Sequence, residues 1–377
     1  MDPYRVMARR WRPHRFEDLV GQEAVVRTLT NAVRNHQTAH AYLFVGPRGT
    51  GKTSASRLLA MALNGEGGPS VDFNPDSPRC RAIGEGRSTD VLEIDGASNN
   101  SVEQVRVLRE ECIYSPAEGP FKIYILDEVH MLSTAAFNAL LKTVEEPPSH
   151  VKFIFATTEV YKVPITIVSR CQRLEFRPLE EKVIEARLND IVGTEGLRVE
   201  PAALKAVARL ADGGMRDAQS MLDQLLSFGN GEVTLESVQT MYGIASEEIL
   251  ERLSNAVTEG NYEEIVRTTD RLVEKGNDLY RVIVDLRKLF REKWFHRLKT
   301  NSPVGTGISN DGWANVLTVL QEGEERVQRG LSPRVMFEMT LFKAIEAGRL
   351  RSLDTLIEYV AQNIPATSEE DGKKNDR

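Results

Sequence analysis

The chain has 377 residues, of which 41% are apolar and 27% are charged, and its formal net charge at pH 7 is −7. This length and apolar content predict two or three globular domains, and the acidic balance argues against indiscriminate coating of nucleic acid while leaving a local basic surface open. No apolar run is long enough to cross a bilayer and the N-terminus lacks the apolar core of a secretion signal, so we expect no membrane association and a cytoplasmic protein.

Short β-rich runs alternate with helical patterns from Tyr4 to Pro178, which is typical of an α/β fold with a parallel sheet and helices on both faces. We assign this part to a first domain, residues 1–179. Its predicted strands lie at 41–45, 90–94, 122–127, 151–156 and 173–176, and its clearest amphipathic helices lie at 22–35 and 101–112.

The β signal fades after Pro178, where three helical patterns separated by glycine-bearing turns predict a small helical domain, residues 180–243. The remaining pattern is entirely helical and predicts a third domain, residues 244–365, followed by a disordered charged tail at 366–377. The helices of the second domain are expected at 180–191, 201–211 and 216–228, and those of the third at 247–258, 262–274, 279–298, 311–328, 333–347 and up to about residue 362.

A glycine-rich motif, GPRGTGKT at residues 46–53, follows the first predicted strand and opens a helix-forming stretch. Glycines allow successive backbone N–H groups to converge on phosphate oxygens, Lys52 neutralises the β and γ phosphates, and the hydroxyl of Thr53 binds Mg²⁺. The alternative is a plain glycine turn between a strand and a helix, which does not explain why a lysine and a threonine fall in register. The motif predicts a site for ATP or GTP.

Two carboxylates close the third predicted strand. Asp127 is expected to hold Mg²⁺, and Glu128 is placed to orient and activate the attacking water. Solvated acids at a strand end are the alternative, and the preceding phosphate loop argues against it. Arg170 and Arg216 are candidates for contacting the γ-phosphate, although each taken singly is also consistent with a solvated surface charge.

Several short motifs together resemble one protein family. They are RRWRP at 9–13, FEDLVGQ at 16–22, the phosphate loop, DEVH at 127–130, ALLKTVEEPP at 139–148, ATTE at 156–159, SRC at 169–171 and GMRD at 214–217. The combination is similar to the gamma/tau family of bacterial DNA polymerase III, the AAA+ ATPases of the clamp loader. The resemblance implies an AAA+ P-loop domain, a three-helix lid and an all-α collar. It also implies an ATP hydrolase within the DNA polymerase III holoenzyme, with no polymerase chemistry in this chain.

The resemblance assigns roles to individual residues. Thr158 would act as a sensor near the γ-phosphate, Arg216 would act within its own subunit, and Arg170 would reach the ATP of a neighbouring subunit. The implied catalytic set is Lys52, Asp127, Glu128, Thr158, Arg170 and Arg216, with Thr53 and Asp127 on magnesium. The implied nucleotide-binding set is Ala8, Arg12, Pro13 and Val20 around the adenine, and Gly46, Gly49, Thr50, Gly51, Lys52, Thr53 and Ser54 around the phosphates.

The resemblance also implies partners. ATP binding would align a five-subunit ring of gamma/tau copies, delta and delta prime, and hydrolysis would load the beta sliding clamp onto primed DNA. The DNA would be held by its phosphates, without sequence specificity. The matching DNA-binding positions are Asn99, Asn100, Ser101, Arg106 and Lys142, for which a solvated amphipathic helix is the alternative.

One departure from the family pattern concerns zinc, which family members commonly bind through four cysteines before the second strand. Only Cys80 remains, and Gly65, Asn74 and Ser77 stand at the other three positions. One thiolate cannot build a tetrahedral site, so we predict no zinc site and expect the loop 64–87 to be held by packing or partly mobile.

A second departure is length. The tau form of the family is longer, and the sequence leaves open whether this chain is a short form or part of a longer one.

Two other functions remain open from the sequence. An AAA+ helicase or branch-migration motor would share the ATPase motifs, but DNA alone would stimulate it and it would need no clamp. A structural ring member would bind nucleotide weakly without hydrolysing it, as delta prime does. The intact Lys52, Thr53, Asp127 and Glu128 argue against this second alternative.

Overall fold

The computed structural model describes residues 6–98, 100–300 and 308–349. The chain divides into two compact units, one extending to Leu235 and one beginning at Glu236. The predictions for Asn99, for a helix reaching about residue 362 and for the tail at 366–377 lie outside the described residues. The predicted limits of the three domains stay predictions.

The first unit is built around a five-stranded parallel sheet, which confirms the predicted fold class. Its strands are β1 (Ala41–Val45), β2 (Val91–Asp95), β3 (Lys122–Asp127), β4 (Val151–Thr157) and β5 (Gln172–Glu175), in the spatial order β2-β3-β4-β1-β5. Because the strands are parallel, their carboxyl ends meet at one edge of the sheet. The loops that follow β1, β3 and β4 therefore lie side by side at that edge.

Helices cover both faces of the sheet, as predicted. They are α1 (Met7–Arg10), α2 (Glu23–Arg34), α3 (Lys52–Asn64), α4 (Pro78–Gly84), α5 (Val102–Glu111), α6 (Thr134–Glu145) and α7 (Ile165–Val168). Side chains alternate along β1, so Tyr42 and Phe44 join an apolar layer with α2 and α3, whereas Leu43 joins a layer with α5 and α6. This alternation explains why the central strands are apolar throughout.

The segment 64–87 is held by packing. It contains α4, which sequence analysis did not predict, and the Ser77 hydroxyl caps this helix by accepting from the N–H of Cys80 at 3.3 Å. Phe73, Cys80 and Ile83 are buried in the same apolar layer as α3. We expected this loop to be either held by packing or partly mobile, and its buried side chains agree with packing.

Three helices follow β5 and form the predicted lid: α8 (Glu181–Glu195), α9 (Pro201–Leu210) and α10 (Met215–Phe228). The sequence did not reveal that two short strands, β6 (Arg198–Val199) and β7 (Glu232–Val233), pair in parallel beside these helices. Two residues are too few to show an alternating pattern, so only the tertiary structure brings these strands together.

The described part of the second unit is helical. Its helices are α11 (Leu235–Tyr242), α12 (Glu247–Glu259), α13 (Tyr262–Glu274), α14 (Leu279–Thr300), α15 (Asn310–Arg329) and α16 (Pro333–Arg349), of which α11 was not predicted. This unit has its own apolar core, in which Phe290 and Trp313 pack at a ring-centroid distance of 5.5 Å. Across the described residues, no helix is both long enough and apolar enough to cross a membrane.

Candidate active site

The glycine-rich motif forms the turn between β1 and α3. Gly49 has a φ of +77°, in the left-handed region that favours glycine, and the Thr50 hydroxyl donates to Pro47 O at 2.8 Å. Since α3 begins at Lys52, the unpaired N–H groups of its first turn are available beside the loop. This is the backbone arrangement that the motif predicts for an anion such as a polyphosphate.

Lys52 is buried at the phosphate loop, where its Nζ donates to Gly46 O and to Pro47 O, each at 2.8 Å. Burial lowers the pKa of Lys52, and the nearby carboxylates of Glu128 and Asp127 partly offset this by favouring the charged form. Neutral carbonyl groups are weaker partners for an ammonium group than a phosphate is. The lysine is therefore held in place by groups that a phosphate can replace.

Thr53 and Asp127 are in direct contact, although they are far apart in the sequence. The Thr53 hydroxyl donates to Asp127 Oδ2 at 2.6 Å, and Asp127 Oδ1 accepts from the N–H of Glu128 at 2.9 Å. A hydroxyl and a carboxylate at a phosphate site are the oxygen ligands that Mg²⁺ prefers, since this ion keeps waters and phosphate oxygens as its other ligands. The donor set therefore fits magnesium.

The Glu128 carboxylate lies against the end of β4. The Thr158 hydroxyl donates to Glu128 Oε2 at 3.2 Å, and His130 Nδ1 lies 3.4 Å from the same oxygen. His130 Nδ1 is also 3.0 Å from Thr157 Oγ1. Sequence analysis assigned roles to Glu128 and Thr158 but none to His130, although this residue stands in the DEVH motif.

A cavity of about 440 Å³ opens beside the phosphate loop, between the N-terminal segment, the ends of β2 and β3, and the lid. Its volume is in the range of small-molecule sites. The predicted residues in its wall are Ala8, Arg12, Pro13, Val20, Gly49, Thr50, Gly51, Lys52, Thr53, Ser54, Asp127, Glu128 and Arg216. The residues that sequence analysis did not assign are Trp11, Asp18, Leu19, Arg48, Glu93, Asp95, Leu179, Arg187, Met215 and Gln219. Gly46, Thr158 and Arg170 are outside this wall.

The lid meets the phosphate loop at the turn that begins α10. The N–H of Arg216 donates to Gly49 O at 3.4 Å. Within the described residues, the guanidinium groups of Arg12, Arg48 and Arg216 form no ion pair, although the same cavity wall also contains carboxylates. These three guanidinium groups are therefore available to contact an anionic ligand.

The N-terminal segment docks on the lid and closes the other side of the cavity. The Trp11 Nε1–H donates to Glu195 Oε1 at 2.5 Å, and the Arg187 guanidinium carbon lies 5.5 Å from the centroid of a Trp11 ring. The backbone N–H of Met7 donates to Asp223 Oδ2 at 3.3 Å. No sequence pattern marks Arg187, whereas Trp11 stands inside the RRWRP motif and could have been singled out.

Of the two predicted catalytic residues outside the cavity wall, Thr158 contacts Glu128 of that wall, whereas Arg170 makes its contacts elsewhere. It follows α7 and forms an ion pair with Glu145, the last residue of α6. In an isolated chain, Arg170 therefore does not face its own phosphate loop.

The predicted DNA-binding residues that the structure describes are exposed. Ser101 is the N-cap of α5 and its hydroxyl is engaged with Gln104, while Arg106 pairs with Glu103 at 2.9 Å. Lys142 lies on α6, which packs against α5, and Asn100 precedes the helix. Their role stays a prediction.

Two of the three positions that replace the expected zinc cysteines, Gly65 and Ser77, lie beside Cys80. A Cβ at Gly65 would lie 3.7 Å from Cys80 Sγ, and the Ser77 hydroxyl accepts from the N–H of Cys80. Burial raises the pKa of the Cys80 thiol, which disfavours the thiolate that zinc requires. The absence of zinc stays a prediction.

Three protein-family models match the chain consecutively. The model described as "DNA polymerase III, delta subunit" matches residues 21–180, and "DNA polymerase III clamp loader subunit, ATPase lid domain" matches residues 183–231. The model described as "DNA polymerase III subunits gamma and tau domain III" matches residues 233–311. Together these models follow the order of sheet, lid and helical unit.

Curated relatives agree with these models. DNA polymerase III subunit tau of Bacillus subtilis is 38% identical over 95% of this chain and 67% of its own length, and that of Escherichia coli is 41% identical over 82% and 47%. DNA polymerase III subunit gamma of Buchnera aphidicola (subspecies Acyrthosiphon pisum) is 33% identical over 91% of this chain and 99% of its own length. The chain therefore spans about half the length of some tau relatives and nearly all of a gamma relative.

Similar solved structures include the RuvB Holliday junction branch migration motor of Thermotoga maritima, with a TM-score of 0.46 and 17% identity over 66% of this chain and 79% of that chain. A gamma-subunit-related protein of the same organism has a TM-score of 0.41 and 18% identity over 85% and 99%.

Proposed function

We propose that this chain, which belongs to the gamma and tau family of DNA polymerase III clamp-loader subunits, is the ATP-driven motor subunit of the clamp loader. Its fold is that of an AAA+ ATPase followed by helical domains. The observation that carries the proposal is the contact between Thr53 and Asp127 with Lys52 and Glu128 in the same cavity. These residues supply the phosphate, metal and water contacts that phosphoryl transfer requires.

In this proposal, the loop and Lys52 bind the polyphosphate of ATP. Thr53 and Asp127 would hold Mg²⁺, which would supply positive charge to the phosphates. Glu128 orients the attacking water and accepts its proton, and Thr158 keeps the Glu128 carboxylate in place through their hydrogen bond. Ala8, Arg12, Pro13 and Val20 enclose the base.

Two arginines connect the nucleotide to larger parts of the assembly. Arg216 begins α10 beside Gly49, so a contact between its guanidinium and the γ-phosphate links the position of the lid to the state of the nucleotide. Arg170 contributes to the site of a neighbouring subunit, which is consistent with its position away from its own cavity. A single chain is then a poor ATPase, and the assembled ring is the active form.

The proposed partners are further gamma/tau copies, delta and delta prime in a five-subunit ring, the beta sliding clamp and primed DNA. ATP binding aligns the ring to open the clamp, and hydrolysis releases the clamp closed on DNA. Asn100, Ser101, Arg106 and Lys142 contact DNA phosphates without reading bases. DNA synthesis itself is carried by other chains of the holoenzyme, which we place in the cytoplasm.

Replacing Lys52 tests the motor role. We expect Lys52→Ala to reduce ATP turnover of the assembled loader by about 100-fold or more and to abolish clamp loading, because the phosphates lose the ammonium group that binds them. Turnover and loading are measured with delta, delta prime, clamp and primed DNA. Lys205→Ala, which changes an exposed lysine of α9, is the matched control, and gel filtration verifies ring assembly. Unchanged turnover in Lys52→Ala would refute the proposal.

The same reagents separate the two alternative functions. A clamp loader requires clamp and primed DNA together for full stimulation of ATP turnover, whereas a helicase is stimulated by DNA alone and separates strands. A structural ring member binds nucleotide but gives no turnover that depends on Lys52.

A further inference from the structure

Arg170 is folded back onto its own chain by three acceptors. Its Nη1 donates to Thr166 O at 2.7 Å and to Ser169 Oγ at 3.3 Å, and its Nη2 contacts the Glu145 carboxylate. Thr166 belongs to α7 and Glu145 to the end of α6, so one guanidinium joins two helices. These contacts hold the guanidinium between the two helices, with the side chain 33% exposed.

The position of Glu145 is not favoured by its own helix. A carboxylate at the C-terminal end of a helix faces backbone carbonyl groups that carry partial negative charge, so the last turn of α6 disfavours it. The ion pair also contributes little to stability, because the two side chains are 33% and 44% exposed and water screens their attraction. The contact therefore needs an explanation other than local helix stability.

The remaining donors of Arg170 point to such an explanation. A guanidinium carries five N–H donors, and its three bonds to Thr166, Ser169 and Glu145 leave two of them for another acceptor. A phosphate accepts two parallel N–H donors from an arginine. An arginine that is already immobilised also loses less conformational freedom when it contacts that phosphate.

We propose that Glu145 is a positioning residue for Arg170 and presents it, ready for contact, to the ATP of a neighbouring copy of this chain. This inference rests on the proposed function, in which Arg170 acts across a subunit interface. Glu145 itself touches neither nucleotide nor metal. Its carboxylate acts only by keeping the Arg170 guanidinium in a position from which it contacts the phosphate of the ATP in the next subunit.

The first experiment compares variants of Glu145 in the assembled loader. We expect Glu145→Ala to lower kcat for ATP by about tenfold with little change in KM, because the Arg170 guanidinium is misplaced while nucleotide binding is intact. Glu145→Asp, which keeps the charge, restores most of the loss. Glu146→Ala is the matched control, since Glu146 is an exposed neighbour that pairs with no cation among the described residues. A kcat for Glu145→Ala equal to or above that of the control would overturn the inference.

A second experiment places the effect in the neighbouring subunit. Lys52→Ala removes the turnover of the chain that carries it, so adding Glu145→Ala to that chain changes only the turnover of its wild-type neighbours in a mixed ring. We expect a further loss relative to Lys52→Ala alone, with thermal unfolding and ring assembly unchanged. No further loss would overturn the inference.

Arg170→Ala, measured in parallel, separates failure of the inference from failure of the proposed function. If Arg170→Ala lowers kcat and Glu145→Ala does not, Glu145 has no positioning role and the trans role of Arg170 stands. If Arg170→Ala leaves kcat unchanged, the trans role itself is wrong and the inference falls with it.

Discussion

At the residue scale, Gly49 meets two requirements at one position of the phosphate loop. Its φ of +77° is unfavourable for any residue with a Cβ, at a cost of about 1–2 kcal/mol. A Cβ there would also lie 2.9 Å from Asp217 Oδ2 and 3.0 Å from Gly214 Cα, in the turn that begins α10. Glycine at this position therefore allows the loop to adopt its positive φ and allows the turn that begins α10 to pack against the loop.

We expect Gly49→Ala to weaken ATP binding by about tenfold or more, because a Cβ strains the backbone of the phosphate loop and displaces the lid turn that packs against it. Titration with a fluorescent ATP analogue measures the effect. Gly86→Ala is the matched control, since Gly86 has a similar φ of +72° but a Cβ there would meet nothing within 4 Å. The control shares the backbone strain and leaves ATP affinity unchanged. Wild-type affinity in Gly49→Ala would contradict this account.

At the scale of elements, Asp90 fixes the segment between α5 and β3. The residue is 4% exposed, and its carboxylate accepts from the N–H groups of Ala117, Glu118 and Gly119 at 2.6, 2.7 and 2.8 Å. Burial by itself raises the pKa of Asp90, but these three N–H groups and the Lys122 charge outweigh it, so the pKa lies below its ordinary value. The ionised form therefore stabilises the folded state.

We expect Asp90→Asn to lower the free energy of unfolding at pH 7 by about 3 kcal/mol, because buried N–H donors lose a charged acceptor. Urea unfolding followed by circular dichroism measures the difference. Since the folded pKa is lowered, the contribution of Asp90 is present at neutral pH and is lost as the pH falls through the unfolded value towards the folded one. The difference between wild type and Asp90→Asn should accordingly shrink on acidification.

Asp72→Asn is the control for this series. Asp72 is exposed, and its carboxylate has no hydrogen-bond partner among the described residues. Its replacement should leave unfolding unchanged at every pH. Equal effects of the two substitutions would show that the Asp90 hydrogen bonds do not hold the segment.

At the scale of the whole molecule, each of the two compact units has its own apolar core. The first has a layer on each face of the sheet, and the second has a helical core that includes Leu286, Phe290 and Phe337. The residues that line the cavity all lie before Leu235. Each unit thus has the buried surface that independent folding requires.

We expect a fragment of residues 1–235 to bind ATP with the affinity of the full chain, and a fragment of residues 236–377 to unfold cooperatively as a helical protein. Titration with a fluorescent ATP analogue and thermal unfolding followed by circular dichroism measure these properties. A first fragment that fails to bind ATP, while the full chain binds it, would show that the units depend on each other.

The sequence by itself determined the elements whose signal is local. The strands before Asp127 and before the phosphate loop are apolar runs that end in charged or glycine-rich residues, so their positions could be predicted, and the same local pattern led to the hypothesis for Lys52, Thr53, Asp127 and Glu128. The family resemblance added Thr158 and assigned Arg216, already a candidate, to its own subunit; no periodicity reveals their contacts with Glu128 and Gly49.

The tertiary structure decided what depends on distant residues meeting in space. The docking of Trp11 on Arg187, the contact of His130 with Glu128 and the ion pair of Glu145 with Arg170 join different elements. Each of these side chains meets a partner that is distant in the sequence, so the residues around it show no pattern that predicts the contact. Local patterns thus determined which residues form the predicted phosphate loop, and long-range packing decided how the N-terminal segment and the lid are arranged around that loop and which carboxylate Arg170 meets.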